Sequence, residues 1–447
     1  MKAGRWVFAA GLMAQDFVNG IAPDVAQRIF ENLEAVLSAA GTDRSNLVRT
    51  DQYYTTVKAV PPYQQVRREF LRGRIPPSTS ITQKRLLLPD ADMTVQALAA
   101  IPDKDFAVEH HEHEHLKGRP TSGYSPALTV GDFIFIPGIT SMAIGEEPRR
   151  NGIAAAALMA EGAQWGGQPI KLETEFIITQ RIVPSLKLVG AGLEDVAHAQ
   201  IYLTDPEDYS AFTEVWSRHF GETGPTFSVI PCIEHGLAPY HGKIEINVLA
   251  LKPGGAARKR HIDASVTTAL HRQPQALRAG DLLFISGLMA ADRDGLTPSA
   301  ARDPRQPWFS SPAQMQAEII IGKALRSRRH LARERRAPPA IPYRHQRVLC
   351  SLQSVGAPFG RPPAAVLGGR GAGAAARSRC ERADRGLGLC ALMMVAHFYE
   401  MAINAHDSDA IITPHNAQAT IRLAKRLNPS NFDDPTITLD FKYRENP

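Results

Sequence analysis

The most reactive-looking stretch of the chain is "VEHHEHEHLKG", residues 108–118, which holds His110, His111, His113 and His115. In an extended strand, side chains alternate in direction, so His111, His113 and His115 would share one face. Three imidazoles on one face suit zinc or nickel. No flanking residues are evident that would orient the rings as metal ligands require. A solvated joining strand is therefore the expected reading, with Glu109, Glu112 and Glu114 as surface charges, and neither a metal nor any other cofactor is assigned. Cysteine offers no alternative. There are four in 447 residues, Cys350, Cys380 and Cys390 crowd one region, and no C-x-x-C pair occurs.

Arginine is the second concentration of chemistry. The chain carries a formal +6 charge, but between Arg326 and Cys390 fourteen arginines face only Glu334, Glu381 and Asp384, so this segment alone is +11. A basic arm of that kind could grip RNA. However, it has no sustained period of helix or strand, and no aromatic or glycine motif interleaves the arginines in the regular way base stacking requires. It is rich in Arg, Ala, Gly and Pro, and it begins where a helix should continue. Residues 326–391 therefore read as out-of-frame or disordered sequence, and nucleic acid is not expected as a partner. Residues 392–447 look natural again. Thr413-Pro414 is placed to open a helix and 436–443 alternate like a strand, but this tail suggests no function.

The elements that must position any site come from repetition. Residues 1–16, "MKAGRWVFAAGLMAQD", have the charged end and short apolar run of a secretory signal. Yet Ala3, Gly4, Phe8, Gly11, Leu12, Met13, Ala14 and Asp16 recur without a gap as Ala279, Gly280, Phe284, Gly287, Leu288, Met289, Ala290 and Asp292. Gly131, Phe135 and Gly138 keep the same spacing. A cleaved leader has no reason to recur, so each copy reads as a strand between two glycines, and the chain is expected to start inside its first repeat. No run reaches the ~20 apolar residues of a membrane span, so a cytoplasmic protein without membrane contact is expected.

The second copy is the most complete. "VGDFIFIPG" is a strand, and "ETEFIITQRIVPSLKLVGAG" is a helix that Pro184 should shorten or kink. "DVAHAQIYLTD" alternates as a strand. Asp205 then caps a helix in which Tyr209, Phe212, Val215, Trp216 and Phe220 form a core-facing stripe. Two more strands close the unit, and the first copy follows the same β-α-β-α-β-β order. The chain is therefore expected to be α+β, with mixed sheets that each carry two helices on one face. The expected organisation is unit 1 over 1–106, a His-rich linker over 107–118, unit 2 over 119–254, and the first part of unit 3 over 262–325.

The strings "ENLEAVLSAAG" (31–41), "GYSPALTVGDFIFIPG" (123–138), "DVAHAQIYLTDPEDYSAFTEVWSRHFG" (195–221), "GPTFSVI" (224–230) and "KIEINVLAL" (243–251) resemble the RidA/YjgF family. The resemblance implies a chorismate-mutase-like fold assembled as a trimer, with small-molecule sites in the clefts between neighbours. It also implies hydrolysis of reactive enamines and imines without a cofactor. In the family an arginine follows the Pro-Ala that opens the penultimate strand and a glutamate closes an "IEIEA" string. The arginine position falls on Thr79 in unit 1 and Phe227 in unit 2, and the glutamate position on Gln96 and Asn247. Loss of the arginine removes a charge-assisted bond worth about 1.5–3 kcal/mol, and neither Gln nor Asn can accept a proton at neutral pH.

The expected ligand pocket comprises Tyr124, Gly138, Thr79, Ile81, Gln96, Phe227, Val229 and Asn247, with Lys84 or Arg85 as substitute cations. The resemblance thus implies a divergent enamine/imine deaminase acting between units. The alternative is an inactive ligand-binding or scaffold member that mimics the trimer within one chain or by self-association.

Overall fold

The computed structural model describes residues 1–16, 20–21, 24–86, 90–116, 122–144, 152–160, 168–221, 224–255, 257–263, 274–280, 282–292, 295–296 and 315–324. The expectations for 326–391, for the Thr413-Pro414 helix and for the 436–443 strand lie outside the described residues.

Unit 1 opens with a hairpin of β1 (Lys2–Ala3) and β2 (Trp6–Leu12), followed by α1 (Val25–Ala40), β3 (Leu47–Tyr54), α2 (Val60–Phe70), β4 (Ser78–Thr82) and β5 (Met93–Ala100). Unit 2 contains β6 (Val108–His111), β7 (Ala127–Val130), β8 (Phe133–Thr140), α3 (Gln168–Ile177), α4 (Val183–Lys187), β9 (Val196–Leu203), α5 (Tyr209–Phe220), β10 (Thr226–Pro231) and β11 (Ile244–Leu251). The first sheet runs β1-β2-β5-β3-β4 and the second, read from its other end, β6-β7-β8-β11-β9-β10. Apart from the extra edge strand β6 these orders are identical, and in each the β3/β4 or β9/β10 pair is parallel while the rest are antiparallel. A third, smaller sheet joins β12 (Lys259–Ile262), β13 (Ala276–Ala279) and β14 (Leu282–Ile285). A helix covers 315–324.

The repeated glycines explain the likeness. Gly4, Gly131 and Gly280 occupy the same hairpin turn with φ of +64°, +54° and +56°, a region L side chains avoid. Near Gly11 and Gly138 the ladder slips by a bulge, between Ala9 and Leu12 in one sheet and Ile136 and Ile139 in the other.

Each of the first two sheets buries one face beneath its helices. In unit 1, Ile29, Phe30 and Leu33 of α1 and Tyr63 of α2 meet Val7, Leu47, Tyr54 and Val95. In unit 2, Phe212 and Trp216 of α5 and Ile177 of α3 meet Ile134, Ala199, Ile201 and Ile246. The long helix of unit 2 responds to Pro184 as its chemistry requires. Proline has no N–H to bond the carbonyl four residues back, and residues Ile178–Ile182 relax into a π turn in which the Val183 N–H donates to the Ile178 carbonyl. Asp205 accepts from the Glu207 N–H, capping the short 3-10 turn that leads into α5.

The opposite faces of all three sheets meet one another. Trp6 and Val48 from the first, Phe133, Phe135 and Leu249 from the second, and Leu277 and Phe284 from the third form one cluster. Trp6 sets its ring edge-on to Phe106, Phe133 and Phe135 at centroid distances of 5.0, 5.4 and 6.0 Å.

Candidate crevice between the repeats

Along β3 and β9 the inward positions turn polar at one end. Arg49, Asp51 and Tyr53 occupy them in unit 1, and His198, Gln200 and Tyr202 in unit 2. Arg49 Nε donates to Asp51 Oδ1 at 3.0 Å, and its guanidinium reaches Gln200 across the units. The Tyr53 and Tyr202 hydroxyls lie 3.4 Å apart. His198 is buried against Phe284 of the third sheet, its ring stacked at 5.3 Å. Burial, with Arg49 nearby, pushes its pKa down to about 3, so it stays neutral.

Thr79 of β4 and Asn247 of β11 meet within this layer. Asn247 Nδ2 donates to Thr79 Oγ1 at 3.0 Å and to Gln200 Oε1 at 3.2 Å. Both residues are 1% exposed. Gly138 lies directly against them, because a Cβ built there would overlap the Glu245 carboxyl and stand 2.9 Å from Thr79 Oγ1. Glu245, two residues before Asn247 and on the same face, was not among the residues expected from the sequence. Alternation along "KIEINVLAL" was the signal that could have found it. Burial raises its pKa to about 8, partly opposed by the Ser80 backbone N–H that donates to it and raised further by Asp51.

Several expected pocket residues sit elsewhere. Phe227 and Val229 lie on the helix-covered side of β10, with the Phe227 ring 6.2 Å from Phe212 and 5.5 Å from Trp216. Only the Phe227 backbone reaches a unit boundary, where its N–H donates to Ser286 Oγ and its carbonyl accepts from Gly287. The ladder shows why. Thr79 pairs with Asp51 while Ser228 pairs with Gln200, the residue matching Asp51 in the second sheet. Ser228, not Phe227, therefore occupies the place of Thr79, and a one-residue slip reverses the face. A Cβ on Gly287 would lie 3.5 Å from Ser228 Oγ, so Ser228–Gly287 repeats the Thr79–Gly138 approach at the next boundary.

The other candidates divide. Ile81 is fully buried with Tyr202, Ile230 and Leu237. Gln96 lies half-buried opposite Asp51. Lys84 and Arg85 are exposed beyond the end of β4. Tyr124 bridges its backbone to Ile75 of unit 1 and lines a cavity of about 10 Å³ with Pro137, Thr140, Arg181 and Ser185. The histidine run does not remain a strand, since β6 ends at His111. His110 Nδ1 bonds Ser125 Oγ at 2.7 Å and His111 Nε2 bonds Thr129 Oγ1 at 2.9 Å. Among the described residues no three metal-ligating side chains converge, and no helix is long and apolar enough to cross a membrane.

Comparison with known proteins agrees with this duplicated architecture. The family described as Endoribonuclease L-PSP matches twice, over residues 1–101 and 116–252. A RutC family protein of Pyrococcus abyssi is 31% identical over 134 residues, covering 30% of this chain and 90% of that one. A RutC family protein of Saccharolobus solfataricus is 28% identical over the same length and the same shares. Among solved structures, RidA from Psychrobacter sp. PAMC 21119 is 20% identical, covering 32% of this chain and 99% of that one, with a TM-score of 0.25. The chain belongs to the RidA/YjgF (Endoribonuclease L-PSP) family, as a tandem-repeat member.

Proposed function

We propose that the chain is a non-catalytic member of its family, a scaffold whose first two repeats dock through the boundary that would otherwise hold substrate. The observation that carries this reading is the hydrogen bond between Thr79 and Asn247. These are the unit 1 position where the family's arginine would hold a carboxylate and the unit 2 position where its glutamate would act on water, and here Asn247 Nδ2 donates to Thr79 Oγ1 while Asn247 Oδ1 stays buried without a partner. Deaminase chemistry needs a cation for the substrate and a group that can take a proton, and Thr79 and Asn247 supply neither. Glu245, the nearby carboxyl, is held protonated at neutral pH and is 5% exposed, so it has neither the charge nor the access of a general base.

The deaminase reading keeps Tyr124 and Gly138 in its favour, and one assay separates the two. Enamines generated in place from serine or threonine by a dehydratase are mixed with the full chain, and release of the 2-keto acid is followed. The scaffold reading expects a rate equal to that in buffer alone. Acceleration that disappears in a Glu245→Gln variant would instead restore catalysis to this boundary.

A further inference from the structure

We infer that unit 1 binds a small monovalent anion, of the size of a halide, between α2 and the strands β3 and β4, away from the boundary between units. The two repeats differ there in kind. Their ladders match Thr50–Ser78 and Gln52–Ser80 of unit 1 with Ala199–Phe227 and Ile201–Val229 of unit 2. Tyr63 and Arg67 follow Tyr54 at the spacing at which Phe212 and Trp216 follow Leu203. Unit 2 is therefore apolar throughout this layer, while the same places in unit 1 carry hydroxyls, an amide and a guanidinium. Packing alone does not call for those groups, since the same fold closes over hydrocarbon in the second copy.

Arg67 is 1% exposed, and Gln52, Tyr54 and Tyr63 are no more so. Arg67 Nη1 donates to Ser78 Oγ at 3.1 Å and Nη2 to the Ser122 carbonyl at 2.7 Å. Both acceptors are neutral, and among the described residues no carboxylate forms an ion pair with Arg67. Asp51, on the other face of β3, is engaged by Arg49. A guanidinium cannot shed its proton, and a buried charge without a counter-charge is costly. Donors gather beside it. Arg67 Nε, Gln52 Nε2 and the Tyr54 and Tyr63 hydroxyls are all buried without a hydrogen bond inside the protein. Ser80 Oγ donates to Gln52 Oε1 at 3.0 Å, so the N–H end of that amide is the one left over. The Tyr63 hydroxyl stands beside Arg67 and Gln52, and Tyr54 beside Tyr63 and Arg67. Burial pushes Tyr63 up to about 12 and also raises Tyr54, so both keep a proton to donate. A full positive charge among donors selects an anion over water. Complete burial selects a monovalent ion over sulfate or phosphate, because the cost of desolvation grows with charge.

The test follows melting of the full chain as sodium chloride replaces sodium gluconate at constant ionic strength. Chloride should raise the melting temperature by at least about 2 °C, because an ion that binds only the folded chain stabilises it as its concentration rises. Tyr63→Phe removes one donor and almost no volume, and should weaken the apparent chloride affinity by roughly threefold to tenfold. Arg67→Met should abolish the chloride dependence. If R67M does not fold, Y63F still decides, read directly by NMR: the chloride line should broaden with the parent chain and distinctly less with Y63F. Equal melting in chloride and gluconate, an unchanged chloride response in Y63F, or a folded R67M that keeps the parent's chloride dependence would each overturn the assignment.

Discussion

Glu245 and Glu173 are carboxyls whose ionisation burial moves to higher pH. Glu245 lies in the boundary between units with its pKa near 8. Glu173 of α3 accepts from Ser141 Oγ at 2.7 Å and the Lys243 N–H at 3.0 Å, with burial raising its pKa to about 7. Both start from an ordinary value of 4.5. Between that value and the raised one the folded chain binds more protons than the unfolded chain, so stability falls as pH rises. The contribution of each is full below about pH 4.5 and is lost by about pH 7 for Glu173 and pH 8 for Glu245. Melting temperatures measured from pH 5 to 9 should decline, and Glu245→Gln should flatten the decline and melt above the parent at pH 9. An unchanged slope in that variant would mean the carboxyl ionises freely in the native protein.

At the scale of elements, the informative comparison is between β4 and β10. The two strands hold equivalent places in their sheets, yet Thr79 faces the neighbouring unit and Phe227 faces its own helices. Phe227→Ala should therefore behave as a core deletion beneath α5, costing about 3–5 kcal/mol in urea unfolding. A loss well below 1 kcal/mol, typical of surface positions, would return Phe227 to an open cleft. The π turn belongs to this scale too. A single proline changes the helix's hydrogen bonding over one turn, and Arg181 stands within that turn.

For the whole molecule, the decisive feature is that the inner faces of the sheets share one core. Trp6 is 1% exposed, covered by Phe106 of its own unit and by Phe133 and Phe135 of the second. Separate Trp6→Ala and Phe135→Ala variants should each destabilise the full chain by about 3–5 kcal/mol. Their double variant should fall short of the sum by about 0.5–3 kcal/mol, the coupling of residues in contact. Strict additivity in chemical denaturation would indicate that the units do not share a core in solution. The same closeness underlies the proposed scaffold role, since the boundary is filled by side chains of both units.

What the amino-acid order determined by itself was local and repetitive. The spacing of Gly4 and Gly11, of Gly131 and Gly138, and of Gly280 and Gly287 marked three copies of one hairpin strand, because a positive-φ turn leaves a signature in composition. The stripe from Tyr209 to Phe220, the cap at Asp205 and the break at Pro184 were legible for the same reason, each acting within a turn or two of itself. Only the tertiary structure decided which face of β10 carries Phe227, since strand register is set by the neighbour it pairs with. It alone brought Asn247 to Thr79, 168 residues away in the chain, and Arg181 to the turn that holds His115. Contacts of that kind depend on how sheets pack, and alternation along one strand is the same whichever partner lies across from it.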